Sequence, residues 1–419
     1  MTERDVIGIF GKMNSGKSSL MNLITQQETS IVDPSPGTTA DTKITLIEIH
    51  GLGPVKLLDT AGFDEQDELG DKKRIKVISA LKESDLILLL INPAIENFDQ
   101  ERILINEARD QDKQLIIIYN LFRNKDADLI GKVEESLPEL LFYPKIVTSV
   151  IDQSYRQEIL NTVLNKYIPK NYAVELLPFI EQEEFYILNI PMDEETPPGR
   201  YLRPQAMAEE YITRKWAFPV SYRINLLKAR AGDISERERW DRFINGFAKR
   251  PKAIITDSQA MDIMKDWSPA DIPLTTFSIM MINYMSRGRL SIFVNGVREL
   301  GNLQSGDKVL IAEACNHSRI REDIGTVQIP KLIQKHHPGV IVEYSFGREF
   351  AEKGNLNDYK LVIHCGGCMI SAQKMAARLR DLEASRVPIT NYGIFLSYIQ
   401  GEKMLSRAIE LWKTNEIFR

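Results

Sequence analysis

Gly11, Gly16, Lys17 and Ser18 stand in the spacing G-x-x-x-x-G-K-[ST], inside the stretch DVIGIFGKMNSGKSSLMNLI. The two glycines let the backbone turn its N–H groups inward around anionic oxygens. An apolar strand pattern precedes the loop and a helical pattern follows it, so a helix N-terminus adds favourable partial charge. In that setting Lys17 reaches the β- and γ-phosphates of a nucleotide and Ser18 holds Mg2+. Asn14, Ser15 and Ser19 complete the phosphate-facing stretch. A second set of chemical groups lies far downstream. The chain has three cysteines, Cys315, Cys365 and Cys368, in the order C-x-H, 46 residues, H-C-x-x-C. Each group sits at the end of an apolar strand pattern, DKVLIAEACNH and YKLVIHCGGC. Parallel neighbours in a sheet bring their C-terminal ends together. The three thiols are therefore expected to converge, with Gly366 and Gly367 giving the backbone room to wrap an inorganic core. A zinc site with three cysteines and a histidine fits these residues. So does an iron–sulfur cluster held by three thiolates, with His317, His364, a carboxylate such as Glu322 or an outside molecule at the fourth iron. Spacing alone does not separate the two metals.

Two further pieces accompany the phosphate loop. PSPGTTADT supplies Thr38 and Thr39, either able to complete a Mg2+ shell. VKLLDTAGFDE is a strand ending in Asp59-Thr60-Ala61-Gly62. Asp59 is expected to hold Mg2+ through water, and the Gly62 N–H to meet the γ-phosphate. Three such elements in order make a switch GTPase. Catalysis then falls to Lys17, Thr39, Asp59 and Gly62. Guanine selection is less regular. The usual N-K-x-D follows an apolar strand, but here QLIIIY runs into NLFRNKDAD. With Asn120 in the usual place, Leu121 and Arg123 replace the Lys and Asp. A shifted loop uses Asn124, Lys125 and Asp126, or Asp128 at one residue longer spacing, and is the reading adopted here. Ser149, in IVTSVIDQ, marks the final base-contacting loop.

The elements that must position these groups fit an α/β protein. Alternating strand and helix patterns from Val6 to about Tyr167 predict a mostly parallel sheet with helices on both faces. Two further α/β domains follow, giving boundaries at 1–170, 175–267 and 268–419. The middle stretch carries little chemistry. Its Asp257-Ser258-Gln259 reads first as a strand-end turn capping the next helix, and second as a phosphate or partner site. No internal repeat is evident. The chain has 419 residues, a formal charge of −5 and 43% hydrophobic residues, which is ordinary for a globular protein. That acidic balance argues against nucleic acid as the partner. The first residues lack the apolar core of a signal peptide, and no apolar run approaches a membrane span. An odd cysteine count argues against a disulfide framework. A cytoplasmic protein with reduced thiols is expected.

The phosphate loop with Asn14 and the PGTT segment resemble the TrmE-Era-EngA group of GTPases, part of which uses that Asn to bind K+. The whole chain resembles the HydF family, the FeFe-hydrogenase maturation GTPases. The likeness rests on long stretches, among them IPMDEETPPGRYLRPQ, LTTFSIMM, LIAEACNH, LVIHCGGCM and VPITNYGIFLSYIQG. It implies a GTPase domain, a middle dimerisation domain in a homodimer, and a domain that binds a 4Fe–4S cluster through Cys315, Cys365 and Cys368 with His317 nearby. It also implies GTP, Mg2+ and a diiron precursor carried as cargo to an apo FeFe-hydrogenase, with radical-SAM maturases as partners. Ser318 stands where many members carry a second histidine, which leaves the fourth iron more open. The rival reading is a tRNA-modifying or ribosome-assembly GTPase with a structural zinc site.

Overall fold

The computed structural model describes residues 4–26, 43–60, 68–169, 174–191, 201–314, 323–347, 355–367 and 370–412. The chain divides into two compact units, Met1–Asn171 and Tyr172–Arg419.

The first unit is built on six strands: β1 (Asp5–Phe10), β2 (Lys43–Ile49), β3 (Gly53–Asp59), β4 (Leu86–Ile91), β5 (Gln114–Asn120) and β6 (Lys145–Thr148). They lie in the order β2-β3-β1-β4-β5-β6, with only β2 antiparallel to its neighbour. The mostly parallel sheet is as the alternating pattern predicts. β4, with sequence LILLLI, is buried along its whole length. Its side chains alternate between two cores. Ile87, Leu89 and Ile91 join one apolar cluster, and Leu86, Leu88 and Leu90 join the other. A strand covered on both faces needs apolar residues at every position, which is why this run shows no alternation.

Among the described residues the second unit holds eight strands: β7 (Phe185–Asn189), β8 (Phe218–Tyr222), β9 (Ala253–Thr256), β10 (Leu274–Thr276), β11 (Lys308–Glu313), β12 (Ile341–Phe346), β13 (Leu361–His364) and β14 (Ile389–Asn391). They form two four-stranded parallel sheets, β10-β9-β7-β8 and β12-β11-β13-β14. β10 completes the first of these sheets by pairing with β9.

In each sheet the first and third strands in sequence are central, with the second and fourth at the edges. The match extends to single hydrogen bonds. Asp257 N donates to Asn189 O at 3.2 Å, and Cys365 N donates to Ala312 O at 3.0 Å. Ile254 N donates to Pro273 O at 2.9 Å, and Val362 N to Pro388 O at 2.9 Å. Lys252 N reaches Phe185 O at 2.8 Å, and Lys360 N reaches Lys308 O at 2.9 Å. Asn189 faces Thr256 as Ala312 faces His364. Last come IPLTTFSI and VPITNYGI, each a short strand followed by a helix capped by Thr276 or Asn391. The second unit is thus a duplicated module, a correction to the expectation of no repeat. The two copies share buried apolar positions, which many sequences satisfy, and differ where chemistry is done. Asp257 in the first copy occupies the place of Cys365 in the second. One buried cluster, running from Leu176 to Trp412, draws side chains from both sheets.

Among the described residues no helix is long and apolar enough to cross a membrane.

Candidate nucleotide site and metal-ligand site

The loop after β1 carries Gly11 at φ +145° and Gly16 at φ +102°, conformations that favour glycine. Space demands the same. A Cβ on Gly11 would lie 2.5 Å from Leu90 O, and one on Gly16 would lie 2.4 Å from Asn120 Nδ2. The helix Lys17–Thr25 follows directly, with Ser18 and Ser19 in its first turn. Lys17 is buried, and its ammonium donates to Lys12 O at 2.6 Å, across the loop. Lys12 is buried too, tethered to Asn97 O and lying 3.9 Å from Glu101 Oε2. Asn14, at φ +59°, is exposed at the loop tip. Ser15 Oγ is buried and has no hydrogen-bond partner among the described residues. An orphaned buried hydroxyl in this loop is a fit for an anionic oxygen. Ser18 Oγ donates to Asp59 Oδ2 at 2.8 Å, joining the helix to the end of β3. Two oxygens so close, drawn from segments 41 positions apart, suit a divalent cation held directly by one and through water by the other.

β5 ends at Asn120, which is buried. Its Nδ2 donates to Ser15 O at 2.8 Å, and its Oδ1 accepts from Val150 N at 3.1 Å. One side chain thereby ties the phosphate loop to the loop after β6. Asn124 and Lys125 stand exposed on the 3-10 turn Asn124–Leu129. Asp126 is buried, and its Oδ2 accepts from Arg123 N at 3.0 Å, with Arg123 Nε 3.5 Å from Oδ1. Asn120 thus bridges the two loops, while Asp126 caps its own turn beside Arg123. Ser149 is half-buried beside Val150, and its carbonyl accepts from Asp152 N at 3.0 Å. Asn120→Ala removes both bridging bonds and leaves a buried carbonyl and N–H unpaired, at about 1–3 kcal/mol. We expect titration with a fluorescent guanine nucleotide to show affinity at least roughly tenfold weaker, with Asn124→Ala close to wild type.

In the second unit, β11 and β13 are adjacent and parallel, so the segments entering Cys315 and Cys365 leave the same end of one sheet. Cys365 is buried, and its Sγ accepts from Ala314 N at 3.2 Å. Ala314 is the residue before Cys315. An N–H aimed at sulfur favours the thiolate, the form that ligates metal. His364 is fully buried. Its Nδ1 lies 2.6 Å from Cys365 O, which leaves Nε2 without a partner among the described residues. The ring's contact is with the backbone of the cysteine loop. Asn391 Nδ2 donates to His364 O at 3.3 Å, bracing the loop from β14. Glu313, at the end of β11, is a buried carboxylate that the sequence reading passed over. Tyr392 donates its hydroxyl to Glu313 Oε1 at 3.0 Å. Burial first, then the negative charges of Cys365 and Glu313, push the Tyr392 hydroxyl well above its usual range, so it stays a donor. An acid closing an apolar strand was the available signal for Glu313. Gly325 packs against this pair so closely that a Cβ there would lie 2.1 Å from Glu313 Oε1.

Thr38, Thr39, Gly62, Cys315, His317, Glu322 and Cys368 lie outside the described residues. Among the described residues no group of three or more His, Cys, Asp or Glu is placed to hold a metal ion.

Comparison with known proteins divides the chain into three stretches. Residues 6–121 match the model of a 50S ribosome-binding GTPase. Residues 176–286 match the hydrogen maturase F dimerization domain, and residues 291–411 match the hydrogen maturase F tetramerization domain. The tRNA modification GTPase MnmE of Streptococcus mutans is 43% identical over 95 residues, 22% of this chain and 21% of that protein. GTPase Der of Nitratiruptor sp. is 41% identical over 86 residues, 20% of this chain and 18% of that protein. The chain thus spans about a fifth of the length of the curated relatives it matches. Among solved structures, Era of Aquifex aeolicus, bound to GDP and AlF4−, aligns with a TM-score of 0.33 at 20% identity. That alignment covers 53% of this chain and 93% of Era. A P-loop GTPase domain followed in order by the dimerization and tetramerization domains of hydrogen maturase F places this chain in the HydF-type family of GTPases.

Proposed function

We propose that the chain is a GTP-hydrolysing scaffold for the maturation of an FeFe-hydrogenase. Its last domain holds a 4Fe–4S cluster through Cys315, Cys365 and Cys368, and it carries a diiron precursor as cargo to the apo-hydrogenase. The observation that carries this reading is the meeting of Cys365 Sγ with the amide of Ala314, the residue before Cys315, at 3.2 Å. Two cysteine-bearing segments 51 positions apart are thereby joined at one sheet end. The donor set fits the group. Thiols on a duplicated α/β module, at the crevice between its first and third strands, stand where such sheets bind ligands. Three thiolates leave one iron of a four-iron cluster for an oxygen or nitrogen donor, or for an exchangeable group. An incompletely held iron suits a carrier whose cargo must leave. The cluster, when bound, supplies that open coordination position. The protein's own residues orient the loop through His364 and Asn391 and keep it buried.

In the first unit, Lys17, Ser18, Asp59 and the loop amides bind GTP and Mg2+, with Thr38, Thr39 and Gly62 sensing the γ-phosphate and Asn14 available to K+. Lys17 would exchange its bond to Lys12 O for one to phosphate. Hydrolysis releases the sensing loops, and this alters contacts with the radical-SAM maturases and the hydrogenase rather than the chemistry at iron. The protein works in the cytoplasm as a homodimer. β8, β10, β12 and β14 are edge strands, and an edge strand can offer main-chain groups to a second copy.

Anaerobic reconstitution with iron and sulfide tests the reading. The expected product is brown and carries about four irons per chain. A colourless protein with one zinc and no iron would overturn it and favour the zinc-stabilised alternative.

A further inference from the structure

The duplicated module has two crevices of the same kind, and only the second carries thiols. The first lies outside the C-terminal ends of β7 and β9, where the chain passes from Thr256 into Asp257-Ser258-Gln259. In sheets of this order, ligands bind where the connections part to opposite sides, between the first and third strands. Asp257 itself caps the turn Ser258–Ala260, accepting from Gln259 N at 3.4 Å, so the first expectation for this tripeptide holds. Beside that turn the structure contains a cavity of about 430 Å³.

The cavity lies between the two copies. Ser258, Gln259 and Met261 line it from the first copy, and Gln328, Lys331 and Leu396 from the second. Its charge is predominantly positive. Arg230 and Asp262 also line it and pair with one another at 2.9 Å, with Arg230 further held by Gln259 O at 2.7 Å. Lys331 adds a second cation. Gln400, another lining residue, accepts at 2.9 Å through Oε1 from Lys265, which lies outside the lining. The lining thus carries two cations, Arg230 and Lys331, against one carboxylate. Gln259, Gln328 and Gln400 supply amide groups, while Met261, Val327, Leu332 and Leu396 supply apolar wall. A volume of this size, apolar walls and a few convergent polar groups are the features of a small-molecule site.

We propose that this crevice is a second ligand site, and that it takes a small organic anion with an apolar body and a carboxylate or phosphate head. The cationic side receives the head group, and the Met261, Leu332 and Leu396 side receives the body. The site abuts the thiol-bearing crevice through one helix, Tyr392–Ile399. Tyr392 in its first turn bonds Glu313, and Leu396 one turn later faces the cavity. The proposal does not rest on the iron–sulfur reading, and either can fail alone.

The test uses the full chain without added iron and the fluorescent probe 1-anilinonaphthalene-8-sulfonate, which joins an apolar ring system to one anionic group. Saturable binding at one site per chain is expected. Lys331→Glu should weaken it by about fivefold or more, since it reverses a charge on a solvent-accessible side chain without touching the core. Leu396→Trp should abolish it by filling the cavity. Lys335→Glu, exposed on the same helix and outside the lining, should leave it unchanged. Competition by benzoate and by phenyl phosphate identifies the preferred head group. Absence of saturable binding, or equal binding by wild type and Lys331→Glu, would overturn the proposal even if Leu396→Trp fails to fold.

Discussion

Cys365→Ala is expected to lose its iron almost completely after anaerobic loading while hydrolysing GTP at close to the wild-type rate. The thiol is buried at the end of β13, and its sulfur is the acceptor for Ala314 N. Removing a supporting residue around a metal typically weakens binding about 10–100-fold, and removing a ligand should exceed that. The structural cost is smaller. One backbone N–H loses its acceptor, on the order of 1–3 kcal/mol, so the fold should persist by circular dichroism. Cys365→Ser sharpens the result. A serine oxygen can still accept from Ala314 N but is a poor ligand for iron in a sulfur-rich cluster. If Cys365→Ser keeps the fold and loses the iron, ligation rather than packing is the role of the thiol. Full iron content in either variant would remove Cys365 from the site.

The converse substitution acts on the other unit. Lys17→Ala should reduce kcat for GTP hydrolysis by about 10²–10³-fold, the loss seen when one fixed charge-stabilising donor is deleted. Phosphoryl transfer relies on positioning and on electrostatic stabilisation of the phosphate oxygens, and Lys17 is the buried cation inside the phosphate loop. The iron content of Lys17→Ala should match wild type, because the thiols belong to a separate compact unit. Phosphate release assays and iron analysis on the same preparation check both halves. Hydrolysis at the wild-type rate would refute the role given to Lys17. A simultaneous loss of iron would refute the independence of the two sites.

The HydF dimerization and tetramerization matches lie on the two halves of the duplicated module. One fold, used twice, therefore supplies both association regions. Its second copy has Cys365 directly after the third strand, where its first copy has Asp257.

The phosphate-loop turn, Asp59 at the end of its strand and Cys365 directly after an apolar strand were readable from the residues in order. Each depends on a few consecutive positions: glycines where φ is positive, an apolar run of strand length, a polar group directly after it. The parallel sheet of the first unit followed from the same local alternation. The bridging asparagine did not. Asn120 and Asn124 are both plausible in the string NLFRN, and the choice turns on which one meets Ser15 O, 105 positions away. The duplication is hidden in the sequence because buried strands accept any well-packed apolar residue, and it lies in the equivalent hydrogen bonds of the two sheets. Glu313 and the cavity beside Ser258 belong to the same class. Sequence decides backbone conformation and side-chain alternation over short spans. Strand register and the packing of one copy on the other decide which distant groups share a space, and chemistry at a site needs that shared space.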